Sequence, residues 1–307
     1  MQHPAGSNRT PQPDAVERAQ SAVTPAHVGT LNACVALVTG ATRGAGRAIA
    51  LVLGEAGATV YVTGRSTAAA TPTEGLPGTV EDAAEAVTAR GGRGIGLRVD
   101  HTRDDQVQAL LERIQAEHGR LDLLVNNVWG GYERYGEVSF VAPFWEQPLW
   151  RWEAMFRTGV RAHLAASRFA APLMLARGSG LIVSTVAWAH DAYLGNVMYD
   201  SAKAAIIRMI FGMARELRPH GVSAVALAPG FMRTERVLAA HAASPFDLSG
   251  TESPEYVGRA VAALAADPGV ASRSGQLLTA GDLAREYGFT DVDGRQPPPF
   301  ELPVASA

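Results

Sequence analysis

Seven short apolar runs recur along the chain, and helix-like stretches separate most of them. The runs are ACVALVT (33–39), ATVYVTG (58–64), GIGLRVD (94–100), LDLLVNN (121–127), GLIVST (180–185), VSAVALA (222–228) and QLLTA (276–280). Most are continuously apolar rather than alternating, the pattern of strands buried on both faces. Residues 47–55, 79–90, 104–118, 150–176, 197–218 and 254–266 read as helices. Strand–helix alternation at this spacing predicts an α/β fold with one doubly wound, parallel, seven-stranded sheet. No linker or repeat divides the chain, so a single domain is expected over 31–293. A Pro- and Ser-rich flexible arm precedes it at 1–30, and an extended tail follows at 294–307, docked through Phe300.

Charge and composition remove several function classes. With 27 basic and 30 acidic side chains and no basic block, no nucleic-acid partner is expected. The first 20 residues lack a signal-peptide core, and no apolar run approaches about 18 residues, so no membrane partner and a cytoplasmic location are expected. The one cysteine, Cys34, cannot form an internal disulfide and reads as a buried structural thiol. The eight histidines and the carboxylates show no metal-ligand spacing of the H-E-x-x-H kind, so no metal is expected.

Three stretches break the compact pattern: 66–78, 128–148 and 236–253. The last two follow strand ends, where crevices form in open α/β sheets. All five tryptophans fall between 129 and 188. Trp129 and Trp145, with Tyr132, Tyr135, Phe140 and Phe144, can form an apolar lip over a pocket. Core packing and helix-end anchoring is the alternative, and the stronger one for Trp150 and Trp152. Glu133, Arg134 and Glu137 in the same loop read as solvated.

The run ALVTGATRGAGRAIA passes from a strand through Gly40, Gly44 and Gly46 into a helix. Glycines let the backbone turn sharply and approach a pyrophosphate, and the helix N-terminus supplies free N–H groups. In Rossmann-like units an acidic residue after the second strand accepts from the ribose 2′-hydroxyl. Here Gly64 and Arg65 stand in that place, and Arg43 lies in the turn itself. Two guanidiniums suit a 2′-phosphate, so NADP(H) is the expected cofactor.

MYDSAK places Tyr199 four residues before Lys203 on one helix face. An ammonium beside a phenol favours the phenolate and makes a usable acid or base. Together these motifs resemble the classical short-chain dehydrogenase/reductase family over about 33–284. TGATRGAG resembles its cofactor turn, NNVWG (126–130) its N-N-A-G segment, Tyr199 and Lys203 its Y-x-x-x-K, and PGFMRT (229–234) its P-G motif. PFWE, GLIV, ELRPHGVS and DLAREYGFTDVDG are similar to a narrower branch typified by a human dehydrogenase/reductase.

The resemblance implies a Rossmann-like sheet and reversible hydride transfer between NADP(H) and a carbonyl or alcohol, and the aromatic content suggests a small, moderately apolar substrate. It implies that Tyr199 is the general acid and that Lys203 lowers its pKa and holds the nicotinamide ribose. Cofactor-binding residues are then Gly40, Thr42, Arg43, Gly44, Ala45, Gly46, Arg65, Ser66, Asp100, Asn126, Tyr199, Lys203, Pro229, Gly230 and Thr234. Apolar faces in PLMLAR (172–177) and MIFGMAREL (209–217) read as core, and the resemblance adds pairing into a homodimer or homotetramer.

Two positions depart from the family pattern. The catalytic serine, about 12–13 residues before the tyrosine, is replaced by Ala187 or Val186, neither with a donor. Thr185 is the catalytic candidate in its place, with Ser184 beside it, although Thr185 stands about 6–7 Å further back along the strand. His190 and Asp191, just beyond, can supply polar groups. The helix asparagine is replaced by Gly159, and nearby Arg161 and His163 read as helix-face or intersubunit residues. Losing one polarising donor costs about 10²–10³ in rate, so a nucleotide-binding regulatory or scaffold protein is the alternative. A cofactor-linked epimerisation or dehydration is a third.

Overall fold

The computed structural model describes residues 30–69, 75–134, 136–189 and 192–302. The expected arm, Tyr135, His190, Asp191 and the end of the tail lie outside the described residues. Seven strands form one sheet: β1 (Val35–Thr39), β2 (Thr59–Gly64), β3 (Arg93–Arg98), β4 (Leu123–Asn126), β5 (Gly180–Thr185), β6 (Val222–Ala228) and β7 (Leu277–Thr279). Their order is β3-β2-β1-β4-β5-β6-β7, and every pairing is parallel. The chain begins at the centre, winds outward to β3, then returns to β4 and winds the other way. The reversal between β1 and β4 opens a crevice at the carboxyl ends of the strands.

Helices α1 (Gly44–Glu55), α2 (Val80–Ala89), α3 (Asp104–His118), α4 (Leu149–Ala154), α5 (Ala162–Leu175), α6 (Val197–Leu217), α7 (Glu235–Ala243), α8 (Pro254–Ala266) and α9 (Ala280–Tyr287) cover the two faces. Alternate residues of one strand enter opposite cores. Ala36 and Val38 pack with α1, α2, α8 and α9, whereas Val35 and Leu37 pack with α3, α5 and α6. Because both sides of β1 are buried, its sequence is apolar without alternation.

The single helix expected over 150–176 is divided. A π-helical stretch, Met155–Arg161, separates α4 from α5. Helices α7 and α9 lie outside the expected set. α7 buries no residue, so it carries no apolar periodicity to read. α9 has a cap written in sequence: the Thr279 hydroxyl accepts from the Asp282 N–H at 3.1 Å. The tail holds through Gln296 and Pro297 rather than Phe300, which is half-buried. Gln296 Nε2 donates to the carbonyls of Ala284 (3.0 Å) and Phe289 (2.8 Å), and the Tyr256 hydroxyl donates to that of Pro297 (3.1 Å). Burial, then the charge of Asp122, pushes the Cys34 thiol up to about 12, consistent with an unreactive role. No described helix is long and apolar enough to cross a membrane.

Candidate active site

A cavity of about 660 Å³ lies over the carboxyl ends of the strands. Gly40, Thr42, Arg43, Gly44, Ala45, Arg65, Asp100, Thr185, Tyr199, Lys203, Pro229, Gly230 and Thr234 all line it. Gly46, Ser66 and Asn126 are not on its wall. Gly46 is a packing glycine: a Cβ there would come within 2.3 Å of the Gly40 carbonyl oxygen. Ser66 Oγ receives a hydrogen bond from Arg43 Nη2 at 3.0 Å. Asn126 is fully buried, its Nδ2 donating to Ser167 Oγ at 2.9 Å. Its neighbour Asn127 reaches the cavity instead, and its Nδ2 ties β4 to the glycine turn through the Thr39 and Gly40 carbonyls, both at 3.1 Å.

At the outer end, α1 begins without a side-chain cap and with no acid of its own in the first turn. Gly44 takes φ +56°, which leaves its N–H facing the cavity. That N–H donates to both carboxylate oxygens of Glu235, at 3.2 and 3.0 Å. The carboxylate stands in for an anion at a helix N-terminus, so these residues fit the pyrophosphate of a dinucleotide. The second guanidinium, Arg65, is half-exposed and lies 3.6 Å from Glu133 Oε1.

At the inner end, Asn196 caps α6 by accepting from the N–H groups of Met198 and Tyr199, both at 3.0 Å. This fixes Tyr199 in the first turn and Lys203 one turn later. Burial pushes the phenol up to about 12, opposed in part by a hydrogen bond from Tyr132. Burial likewise pulls Lys203 down to about 7. The phenol is therefore raised, where adjacency to Lys203 predicted a depression. The ammonium lies 3.6 Å from the Trp129 ring centroid and 5.5 Å from that of Tyr199, a cation–π contact with the indole.

Trp129 also accounts for Gly159. A Cβ at 159 would stand 2.5 Å from Trp129 Cζ3 and 2.7 Å from Cε3, so the indole occupies the space beside the helix. The π-helical turn carries this glycine past the ring. His163 is neither a surface nor an interface residue. It is buried beneath the cavity, its Nε2 3.0 Å from the Val128 carbonyl oxygen, and burial together with Lys203 pulls it down to about 3. Arg161 instead clamps Asp104 on α3 at 2.8 and 2.6 Å.

Of the expected lip, Trp129, Tyr132 and Phe140 line the cavity, whereas Phe144 and Trp145 are exposed and pack edge-on to each other. The loop is held from below. Buried Arg151 donates to the Val138 carbonyl at 2.9 Å and to Gln147 Oε1, whose amide in turn donates to the Phe140 carbonyl at 3.0 Å. Asn196 Nδ2 donates to the same carbonyl at 2.7 Å. Thr185 Oγ1 makes only long contacts, 3.4 Å to the Asn126 carbonyl and 3.4 Å to Asn127 Oδ1, and Val186 and Ala187 follow it along the wall.

The profile of the short chain dehydrogenase family matches residues 34–243. Dehydrogenase/reductase SDR family member 1 of mouse is 40% identical over 273 residues, covering 85% of this chain and 84% of that protein. The human counterpart is 39% identical over 278 residues, covering 86% and 85%. Among solved structures, a short chain dehydrogenase of Mycobacterium thermoresistibile superposes with a TM-score of 0.75 at 25% identity, covering 91% of this chain and 96% of that one. Since the family profile spans the β1-to-α7 core and two relatives keep about two residues in five across most of both chains, this chain belongs to the short-chain dehydrogenase/reductase family of oxidoreductases.

Proposed function

We propose that this chain is an NADP(H)-dependent reductase of moderately apolar carbonyl compounds, acting reversibly on the matching alcohols. One observation carries the reading: a single cavity joins an anion-binding helix end to a half-buried tyrosine beside a buried lysine. Bound in it, the nicotinamide nucleotide supplies or accepts the hydride. Arg43 and Arg65 hold the 2′-phosphate, and no carboxylate stands at 64 or 65 to repel it. Gly40, Thr42, Gly44 and Ala45 seat the pyrophosphate, with Gly46 and Ser66 behind them. Asp100, Asn127, Pro229, Gly230 and Thr234 complete the cofactor site, whereas Asn126 lies buried behind the wall.

A phenol raised to about 12 is protonated at neutral pH, the form needed to donate to a carbonyl oxygen. Tyr199 gives that proton in reduction and takes it back in oxidation. Lys203 orients the nucleotide ribose and Thr185 is a candidate polar neighbour. Trp129 and Phe140 favour an apolar group on the substrate. A cytoplasmic location and a homodimer or homotetramer belong to the same proposal. Leu164 and Leu175, exposed on α5, support the assembly.

Loss of the wall serine at Ala187 favours a second reading, a protein that binds the nucleotide without turnover. The test is NADPH oxidation over a panel of aryl, alicyclic and 3-oxoacyl carbonyls, with NADPH binding followed by fluorescence. Tyr199→Phe is expected to bind NADPH and lose turnover; full turnover in that variant overturns the reading. Binding without turnover on the whole panel establishes the second one. Arg65→Ala is expected to weaken NADPH by about 10-fold or more while leaving NADH unchanged, and equal losses for both refute the 2′-phosphate assignment.

A further inference from the structure

We infer that Tyr132 donates the second hydrogen bond to the substrate oxygen, the role that Ala187 cannot fill. The inference rests on the reductase reading above and deepens it. A carbonyl oxygen gaining charge is best stabilised by two convergent donors in a site closed to water. At the usual place for the second donor the wall offers Val186 and Ala187. Thr185 is turned back towards the Asn126 carbonyl and Asn127, and Ser184 is fully buried beneath the wall.

Tyr132 comes from the other side. Its ring lines the same cavity as that of Tyr199, and a side-chain hydrogen bond links the two phenols. The two rings share their walls. Trp129 lies 6.5 Å from Tyr132 and 5.4 Å from Tyr199 between centroids, and Phe140 lies 6.1 and 5.5 Å from them. Phe140 is itself bonded to Asn196, the cap that sets Tyr199. One network thus holds both phenols relative to each other, although Tyr132 sits on a loop. The Arg236 guanidinium stands 5.2 Å from the Tyr132 ring centroid and draws electron density from it, which strengthens the hydroxyl as a donor.

In the step, the carbonyl carbon would take the hydride that a bound reduced nucleotide would supply, and the C=O π pair would move onto oxygen. The Tyr199 O–H bond breaks and its proton joins that oxygen. Tyr132 keeps its own proton and exchanges its bond to Tyr199 for one to the incoming oxygen. Solvent then reprotonates Tyr199.

Tyr132→Phe removes one oxygen and keeps the ring. The test uses the full chain and the panel carbonyl that wild type reduces fastest. Expected is a fall in kcat of about 10²–10³-fold with NADPH affinity and melting temperature unchanged. Adding Ala187→Ser to Tyr132→Phe is expected to recover about tenfold or more, which a merely structural tyrosine would not permit. A crystal structure of Tyr199→Phe with NADPH and that carbonyl is expected to place the substrate oxygen within about 3 Å of the Tyr132 hydroxyl. Turnover kept by Tyr132→Phe, absence of recovery by Ala187→Ser, or an oxygen beyond hydrogen-bond reach overturns this inference alone. Wild-type protein without turnover on the whole panel overturns the reductase reading and this inference together.

Discussion

Placing alanine at residue 159 sets two effects of opposite sign against each other. In an open helix, glycine costs about 1 kcal/mol relative to alanine, so the exchange alone would stabilise by about that much. Here the new methyl would lie 2.5 and 2.7 Å from two indole carbons of Trp129, far inside the ~3.5–4.0 Å optimum. The indole has little room to retreat, with the Lys203 ammonium 3.6 Å from its centroid and the Tyr199 ring edge-on at 5.4 Å. Forcing an extra methyl into such a site costs about 1–3 kcal/mol. Displacing the ring from a desolvated ammonium adds up to about 1 kcal/mol more. The balance runs from near zero to a loss of about 3 kcal/mol, where propensity alone gives a gain. For a domain of this size that lowers Tm by up to roughly 12 °C. Differential scanning calorimetry of Gly159→Ala measures it. The same alanine in a Trp129→Ala background meets no ring and is expected to raise Tm relative to Trp129→Ala. A Tm increase in the single variant, or an equal decrease in both backgrounds, would refute the assignment of Gly159 to the indole.

Two further outcomes are expected. Glu235→Gln removes the charge bound at the start of α1, an interaction worth about 0.3–2 kcal/mol at a helix N-terminus. The NADPH dissociation constant should then fall about 2- to 30-fold in a fluorescence titration; unchanged or weaker binding rules out displacement of Glu235 by the cofactor. Acid stability depends on His163 and His101, which burial holds at about 3 and about 4. Unfolded, each takes a proton near 6.5. Between those values the unfolded chain binds more protons, so stability falls as pH falls from 6.5 towards 4. Urea unfolding between pH ~7 and ~4.5 should show a shallower fall for His163→Asn than for wild type, and identical slopes would exclude this contribution.

The inner strands β1, β2, β4, β5 and β6 were legible because burial on both faces leaves no alternative to continuous apolar sequence. Expected runs and observed strands agree within about two residues, as at β4, expected over 121–127 and found at Leu123–Asn126. Helices with a buried stripe were legible for the same reason, α3 and α8 to the residue. α7, which buries no residue fully, was not, nor was the π-helical break, whose cause lies on another segment. In the site, the glycine turn and the Tyr199–Lys203 pair are local spacings. The contacts that qualify them are not: Glu235 on Gly44 spans 191 positions.

By itself, then, the chain's order of residues determined the doubly wound parallel sheet and the two ends of the cavity. Each of these follows from periodicity and from turns spanning a few residues. The folded molecule alone decided how those ends behave. Desolvation raises Tyr199 and lowers Lys203 against the shifts that adjacency predicts. An indole from the β4 loop takes the space of a helix side chain, and a loop tyrosine reaches the phenol. Burial and contact between distant segments arise only once the sheet has brought them together, and no local pattern encodes them.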